Sequence, residues 1–305
     1  MALHPATTAF TRNYDQGKPQ VVWTDLVADL ETPVSAMLKL TGGAPNSFLL
    51  ESVERGANRG RYSIVGMRPD VVWRCFGDRA EIARDADQSA RPNFAAAKEG
   101  ALASLRSLVR ESRIELPPEL PPMASALVGY AGYDMVRLVE RIPNKNPDVL
   151  GVPDGVFVRP TVMAIFDSVK DVVTVVTPVW PKPGVTAAQA LSRATERLER
   201  AMHDLEKPLH AGTATTDVSS LPEPTSNRSR AQYHAMVAKA KEYIAAGDIF
   251  QVVPSQRMKV PFTLPPFALY RALRRTNPSP FMFFLDFEGF AVVGSSPEVL
   301  VRLRN

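Results

Sequence analysis

The 305-residue chain holds a single cysteine. An internal disulfide is therefore excluded, and with it the small disulfide-stapled class of secreted folds. Cys75 lies in VVWRCFGD, an apolar, β-branched run with no histidine nearby, and reads as a buried strand residue. Histidine is also scarce. His4, His203, His210 and His234 show no metal-ligand spacing, and no cluster of Asp or Glu supplies an oxygen cage, so no metal site is expected within these residues. Long hydrophobic runs are absent: none reaches the roughly 18 apolar residues of a membrane span. The opening MALHPATTAF lacks the basic-then-apolar order of a secretory leader. The expectation is a cytoplasmic protein that makes no use of a membrane. Charge of one sign is lacking as well, with 36 Lys and Arg against 32 Asp and Glu, a net +4. The two signs alternate, as in DRAEIARDAD, instead of gathering in a tract, which argues against a nucleic-acid partner.

What the chain does have is proline, 27 residues against a usual ~5%. The prolines punctuate, at 117–122 and at 178–183, and so mark element boundaries. After a polar arm over 1–20, VVWTDLV reads as a strand. Thr32 followed by Pro33 marks a helix start. SFLLES is a short apolar strand ahead of the polar turn VERGANRG. RYSIVGM and DVVWRCF read as two strands separated by Pro69, with RAEIAR a weaker third. Ala97, Ala101, Leu105 and Leu108 share one helical face and predict a helix between Phe94 and Ile114. GYAGYD lacks the G-x-G-x-x-G spacing of a phosphate loop and reads as close backbone packing. VFVRPTVMAIFD and DVVTVVTP suggest a hairpin with a polar turn. Thr186 opens an amphipathic helix through about Leu205.

From Lys207 to Arg230 the chain is rich in Ser, Thr, Pro and Gly with no apolar period, and is read as a linker. A first region over 21–206 and a second over 231–305 follow from that. In the second, Ser229 caps a helix with the stripe Tyr233, Val237, Ala240 and Ile244, ended near Gly247. IFQVVPSQRMKV reads as a strand broken at Pro254, PPFALYRALRRT as a helix, and FMFFLDFEGFAVVGSSPEVLVRL as consecutive strands. No element follows to cover those strands, so the sequence reads as interrupted inside a domain.

Five blocks in order resemble the anthranilate synthase component I family of chorismate-utilising enzymes. They are LLES with GRYS (Leu49–Ser63), LVGYAGYDMVR (Leu127–Arg137), RPTVMAIFD (Arg159–Asp167), YIAAGDIFQVVPSQR (Tyr243–Arg257), and NPSPFMFFLDF with VGSSPEVLVR (Asn277–Arg302). The resemblance implies an α+β fold, a sheet sandwich flanked by helices and incomplete at its C-terminus, with 231–305 as the start of the chorismate-binding catalytic domain. It implies conversion of chorismate and ammonia to anthranilate and pyruvate in tryptophan biosynthesis, with Mg²⁺ as cofactor. The ammonia would come from a glutamine amidotransferase subunit. The family's Mg²⁺-binding glutamates, glycine-rich substrate loop and catalytic histidine segment would all lie beyond Asn305, so the chain alone is expected to be inactive. Aminodeoxychorismate synthase component I is an alternative sharing the same fold and substrate, which LLES and NPSPFMF fit less well. A non-catalytic regulatory or partner-binding protein is another.

The same resemblance assigns a feedback site for tryptophan to Glu51, Ser52, Asn277, Pro280, Phe281 and Met282. From the residues alone, Ser52 caps a turn or binds a ligand, and Phe281 and Met282 are core or an apolar wall for an indole. Phe281 stands where the family usually carries tyrosine, so the wall is kept and a hydroxyl lost. Gln251 occupies the position at which water-adding relatives resemble one another in carrying a lysine base. An amide takes up no proton at neutral pH, so the resemblance implies ammonia as nucleophile and a positioning role for Gln251.

Overall fold

The computed structural model describes residues 2–27, 29–53, 60–88, 92–209 and 221–303. Most of the β-branched runs become strands: β1 (Gln20–Val27), β2 (Ser47–Glu51), β3 (Tyr62–Phe76), β4 (Arg79–Arg84), β5 (Phe94–Gly100), β6 (Val128–Ala131), β7 (Gly155–Asp167), β8 (Val172–Val179), β9 (Thr225–Ser226), β10 (Met258–Lys259), β11 (Phe281–Phe287) and β12 (Phe290–Ser296). The helices are α1 (Thr7–Asp15), α2 (Pro33–Thr41), α3 (Ala101–Glu111), α4 (Ala187–Glu206), α5 (Arg230–Ala246) and α6 (Pro266–Thr276). This mixture of helices with a large antiparallel sheet is the expected α+β class.

Two compact units divide the chain, one of residues 1–210 with 266–305 and the other of 211–265. The first holds a 10-stranded sheet with the path β1-β8-β7-β3-β2-β11-β12, in which β4 pairs with β3 and β5, and β6 with β7. Residues 266–303, which the sequence grouped with the second region, thus supply α6 and two strands of this sheet.

The strands expected on either side of Pro69 are one 15-residue strand, β3. Pro69 pairs with Pro160 of β7, and the register shifts between Pro69 and Val71. A proline donates no ladder hydrogen bond. Setting two of them opposite each other at an existing bulge confines that loss to one place. The helix expected from Phe94 starts later, at Ala101, because Phe94–Gly100 pairs with β4. Asp78 accepts the Ala101 N–H at 2.8 Å and so helps to fix the helix start.

Three helix starts match their sequence signals. Thr32, Thr186 and Ser229 each accept from the N–H three residues on, and Ser35, Gln189 and Gln232 answer with their own side chains. One face of the sheet is covered by a core built from α1, α2, α4 and α6, including Phe10, Met37, Leu49, Leu198, Tyr270 and Phe284. A second core holds Phe48, Ile64, Val72, Val158, Val176 and Leu285. Cys75 is fully buried with Trp73 and Leu108 beneath α3, and burial pushes its thiol up to about 11.

In the second unit α5 ends at Gly247, whose φ of 83° is the left-handed geometry of a helix C-cap. No residue of α5 is buried: Val237, Tyr243 and Ile244 of the expected stripe and its neighbourhood remain exposed. Of the strand read from IFQVVPSQRMKV only Met258–Lys259 forms, against Thr225–Ser226. A strand requires a ladder of partners for its backbone groups, and among the described residues no strand pairs with 249–257, whose Arg257 backbone meets only Asn227 and whose Pro254 carbonyl accepts only from the Tyr233 hydroxyl. Most of the turn read in VERGANRG and residues 210–220 of the 207–230 linker fall outside the described residues.

Candidate functional site

β2 carries the LLES segment between two neighbours, β3 and β11. Leu49 is fully buried and Leu50 half-buried. Alternation along the strand turns Glu51 to the same face as Leu49, and its side chain is 1% exposed. A carboxylate so deeply buried needs partners. Arg274 supplies a fork, Nε to Oε2 at 2.9 Å and Nη2 to Oε1 at 3.0 Å. The Tyr270 hydroxyl, in a fully buried side chain, donates to the same Oε2. Burial, then the charge of Glu51, pushes the Tyr270 phenol far above its ordinary range, so it stays a donor. Burial pulls the Arg274 guanidinium down, but the hydrogen bonds and charge of Glu51 outweigh this and leave it raised.

Beyond Glu51 the chain enters a cavity of about 420 Å³. Ser52, Val53, Ser63, Phe166 and Val173 form its walls, with Arg274 at one side. Gly60 meets Ser52 closely enough that a Cβ there would fall 1.9 Å from the Ser52 Cβ, so only glycine fits. The mouth is acidic, with Asp29, Glu31, Asp167 and Asp171. Glu31 pairs with Lys39. Asp167 accepts from Arg61 at 2.8 to 3.1 Å and from the backbone N–H groups of Val169 and Lys170. The Arg61 hydrogen bonds hold its carboxyl below the ordinary range in spite of some burial. Asp29 and Asp171 make no ion pair among the described residues, which leaves a field that favours a cation.

The residues assigned to an effector site are brought side by side but not all into this cavity. Met282 pairs with Glu51 across the β2–β11 ladder, and the Val53 N–H donates to the Ser279 carbonyl at 3.0 Å. Glu51 and Ser52 line the cavity. Met282 is buried in the core, Phe281 and Pro280 are half-buried beside it, and Asn277 is exposed, its carbonyl accepting from Ser295 Oγ at 2.6 Å. Both oxygens of Glu51 are held by Arg274 and Tyr270, so its carboxylate is not free to take a ligand ammonium. Sequence reasoning missed those two partners. Their i, i+4 spacing puts them on one face of α6, but nothing in either segment announces a bond across 223 positions.

Gln251 is exposed and lies outside any strand in the second unit. Among the described residues no three His, Cys, Asp or Glu side chains converge to hold a metal, so these residues do not fit a resident Mg²⁺. Nor is any helix among them long and apolar enough to cross a membrane. The arrangement as a whole suits binding of a small zwitterion, with an acidic mouth, a serine hydroxyl and an arginine. It presents no nucleophile paired with a base.

Comparison with known proteins places these features. The chain is 52% identical over 297 residues to anthranilate synthase component 1 of Cereibacter sphaeroides, an alignment covering 97% of this chain and 59% of that protein. It is 42% identical to the protein of the same name from Thermus thermophilus, over 90% of this chain and 55% of that one. Anthranilate synthase component I from Streptococcus pneumoniae shares the fold, with a TM-score of 0.62 at 24% identity over 91% of this chain and 58% of that structure. The chain therefore spans somewhat over half the length of the curated relatives it matches. Residues 48–305, which include all of β2 but Ser47, the clasp on Glu51 and the second unit, match the family described as chorismate binding enzyme. By that match the chain belongs to the chorismate binding enzyme family.

Proposed function

We propose that the chain is part of an anthranilate synthase component I, a cytoplasmic lyase of tryptophan biosynthesis. The complete protein would form anthranilate and pyruvate from chorismate and ammonia, with Mg²⁺ and with a glutamine amidotransferase subunit as partner. Residues 21–206 would be its N-terminal region and 231–305 the start of its chorismate-binding domain. The family match and the identities to proteins of that name support this reading. Gln251 would position substrate. The described residues hold no site for that Mg²⁺. Assay of the purified chain with chorismate, ammonia and Mg²⁺, followed by anthranilate fluorescence, is expected to show no turnover; measurable product would overturn the assignment of the metal ligands to other residues.

The cavity beside Ser52 is proposed as the tryptophan feedback site. The observation that carries it is the seating of Ser52 and Val53 against the NPSPFM segment, at the edge of an acidic cavity large enough for an amino acid. Ser52 would hydrogen-bond the ligand, and Asp29 and Asp171 would attract its ammonium. Pro280, Phe281 and Met282 would form apolar support, and Asn277 would position the loop. Glu51 would act indirectly by holding Arg274. Titration of L-tryptophan, read by backbone amide shifts, is expected to move Ser52, Val53 and Ser63 saturably, and Ser52→Ala to weaken that response. Unchanged affinity in Ser52→Ala would overturn the site.

A further inference from the structure

A second cavity, of about 380 Å³, opens on the same unit away from Ser52, between the start of α4 and the end of β8. Its loop, Trp180-Pro-Lys-Pro-Gly184, is stiffened by two prolines and turns at Gly184 with φ 76°. The Tyr14 hydroxyl accepts the Lys182 N–H at 3.2 Å and ties the loop to α1. Lys182 is thus presented by a fixed backbone. From α4, Arg193 and Arg197 project with Ala190 on one face, at spacings of three and four. From β7, Arg159 enters beneath, nine-tenths buried, with its guanidinium 4.1 Å from the Trp180 ring centroid.

These cations are unequally satisfied. Arg159 donates a fork to Asp70, both bonds at 2.8 Å, and a bond to Ser112, with Glu111 at 3.6 Å, so its charge is already paired. Arg197 reaches Asp87 only at 3.4 Å. Burial holds the Asp87 carboxyl above its ordinary range in spite of that guanidinium. Lys182 pairs with Asp85 at 3.2 Å, with both side chains more than half exposed, a class of pair that contributes little. Arg193 makes no ion pair among the described residues. Beside them the Trp180 indole N–H is buried with no acceptor among the described residues, a donor whose desolvation is uncompensated.

We propose that this cavity binds a small organic oxyanion, a carboxylate or a phosphate. An oxygen would accept from the Trp180 N–H while Arg193, Arg197 and Lys182 neutralise the charge. Charge-assisted hydrogen bonds of this kind are the strong ones. The volume exceeds what a bare oxyanion fills, and Pro178, Val179 and Val185 offer apolar surface to the remainder of the molecule.

The test is a ¹H–¹⁵N spectrum of the full 305-residue chain. It shows indole N–H signals from Trp23, Trp73 and Trp180, assigned by through-bond correlation so that no tryptophan variant has to fold. Inorganic phosphate and benzoate are titrated separately, with chloride at matched ionic strength as control. A saturable shift of the Trp180 signal is expected with at least one of them, while Trp73, already bonded to Ser104 at 3.0 Å, stays in place. Response to one probe alone identifies the oxyanion class, and response to both supports the shared chemistry. Arg193→Gln combined with Arg197→Gln, both on the α4 surface, is expected to weaken binding by about tenfold. Three outcomes would overturn the proposal: no saturable shift with either probe, a shift reproduced by chloride, or undiminished affinity in the double variant.

Discussion

Glu51 shows how much a single buried charge depends on its partners. Arg274→Met would remove the fork and leave a 1% exposed carboxylate with only the Tyr270 hydroxyl. Breaking one side of a buried ion pair costs about 3 kcal/mol or more, so urea unfolding should show a loss of that order. Adding Glu51→Gln should recover part of it, because the uncompensated charge is then gone. If the double variant is less stable than Arg274→Met alone, the clasp is not the source of the loss. Asp286 is a contrasting case, half-buried on β11, its carboxyl with no hydrogen-bond partner among the described residues. Burial pushes its carboxyl up to about 6, against about 4 in an unfolded chain. Between those values the folded state binds more protons, so stability falls as pH rises from about 4 to 6 and stays lower at neutral pH. Asp286→Asn should flatten that part of the Tm profile and raise Tm at pH 7; an unaltered profile would exclude desolvation of this group as its cause.

At the scale of the element, the contrast between α4 and α5 is the most testable. Both start with a Ser/Thr capping box, but α4 buries Ala187, Ala190, Ala194, Leu198, Ala201 and Leu205 whereas α5 buries nothing. Helical stability in proteins comes chiefly from packing of an apolar face. Native-state hydrogen exchange should therefore find the amides of 230–246 far less protected than those of 190–205; equal protection would mean that α5 has cover the contacts do not reveal. The caps were legible in the sequence because they are local chemistry: Thr32, Thr186 and Ser229 act within three residues. The start of α3 and the fate of 249–257 were not, because pairing decides them. Ala-rich Phe94–Gly100 has helical propensity and becomes a strand where β4 offers an edge, while the β-branched Val252 and Val253 find none. Pro69 misled for a related reason, since its tolerance in β3 depends on Pro160 across the ladder. In the same way LLES and NPSP were legible as candidate segments, and their adjacency was not, since it is made by the β2–β11 register.

Over the whole molecule, apolar side chains are left in water in both units, Leu30 and Tyr133 among them in the first, and they are closest together along the chain in the second unit and near Leu300. Phe250 is 93% exposed, Val253 79% and Leu300 98%. Isolated exposures of this kind are ordinary, but Phe250 and Val253 are three apart in a segment without regular structure. An apolar-surface dye should bind the native chain, and Phe250→Ser with Val253→Ser should reduce that signal without lowering the unfolding midpoint. A fall in midpoint would show that these side chains are packed.

The place of β2 between β3 and β11 also bears on how the chain is made. Its first neighbour is translated almost at once, whereas the second begins at Phe281, some 230 residues after β2 has left the ribosome. At about 5–20 residues per second that interval lasts roughly 10–50 s. Until β11 is made, the edge of β2 that it covers, carrying Phe48, Leu49 and Leu50, has no native strand to pair with, and an open apolar edge of this kind is where mispairing with other chains starts.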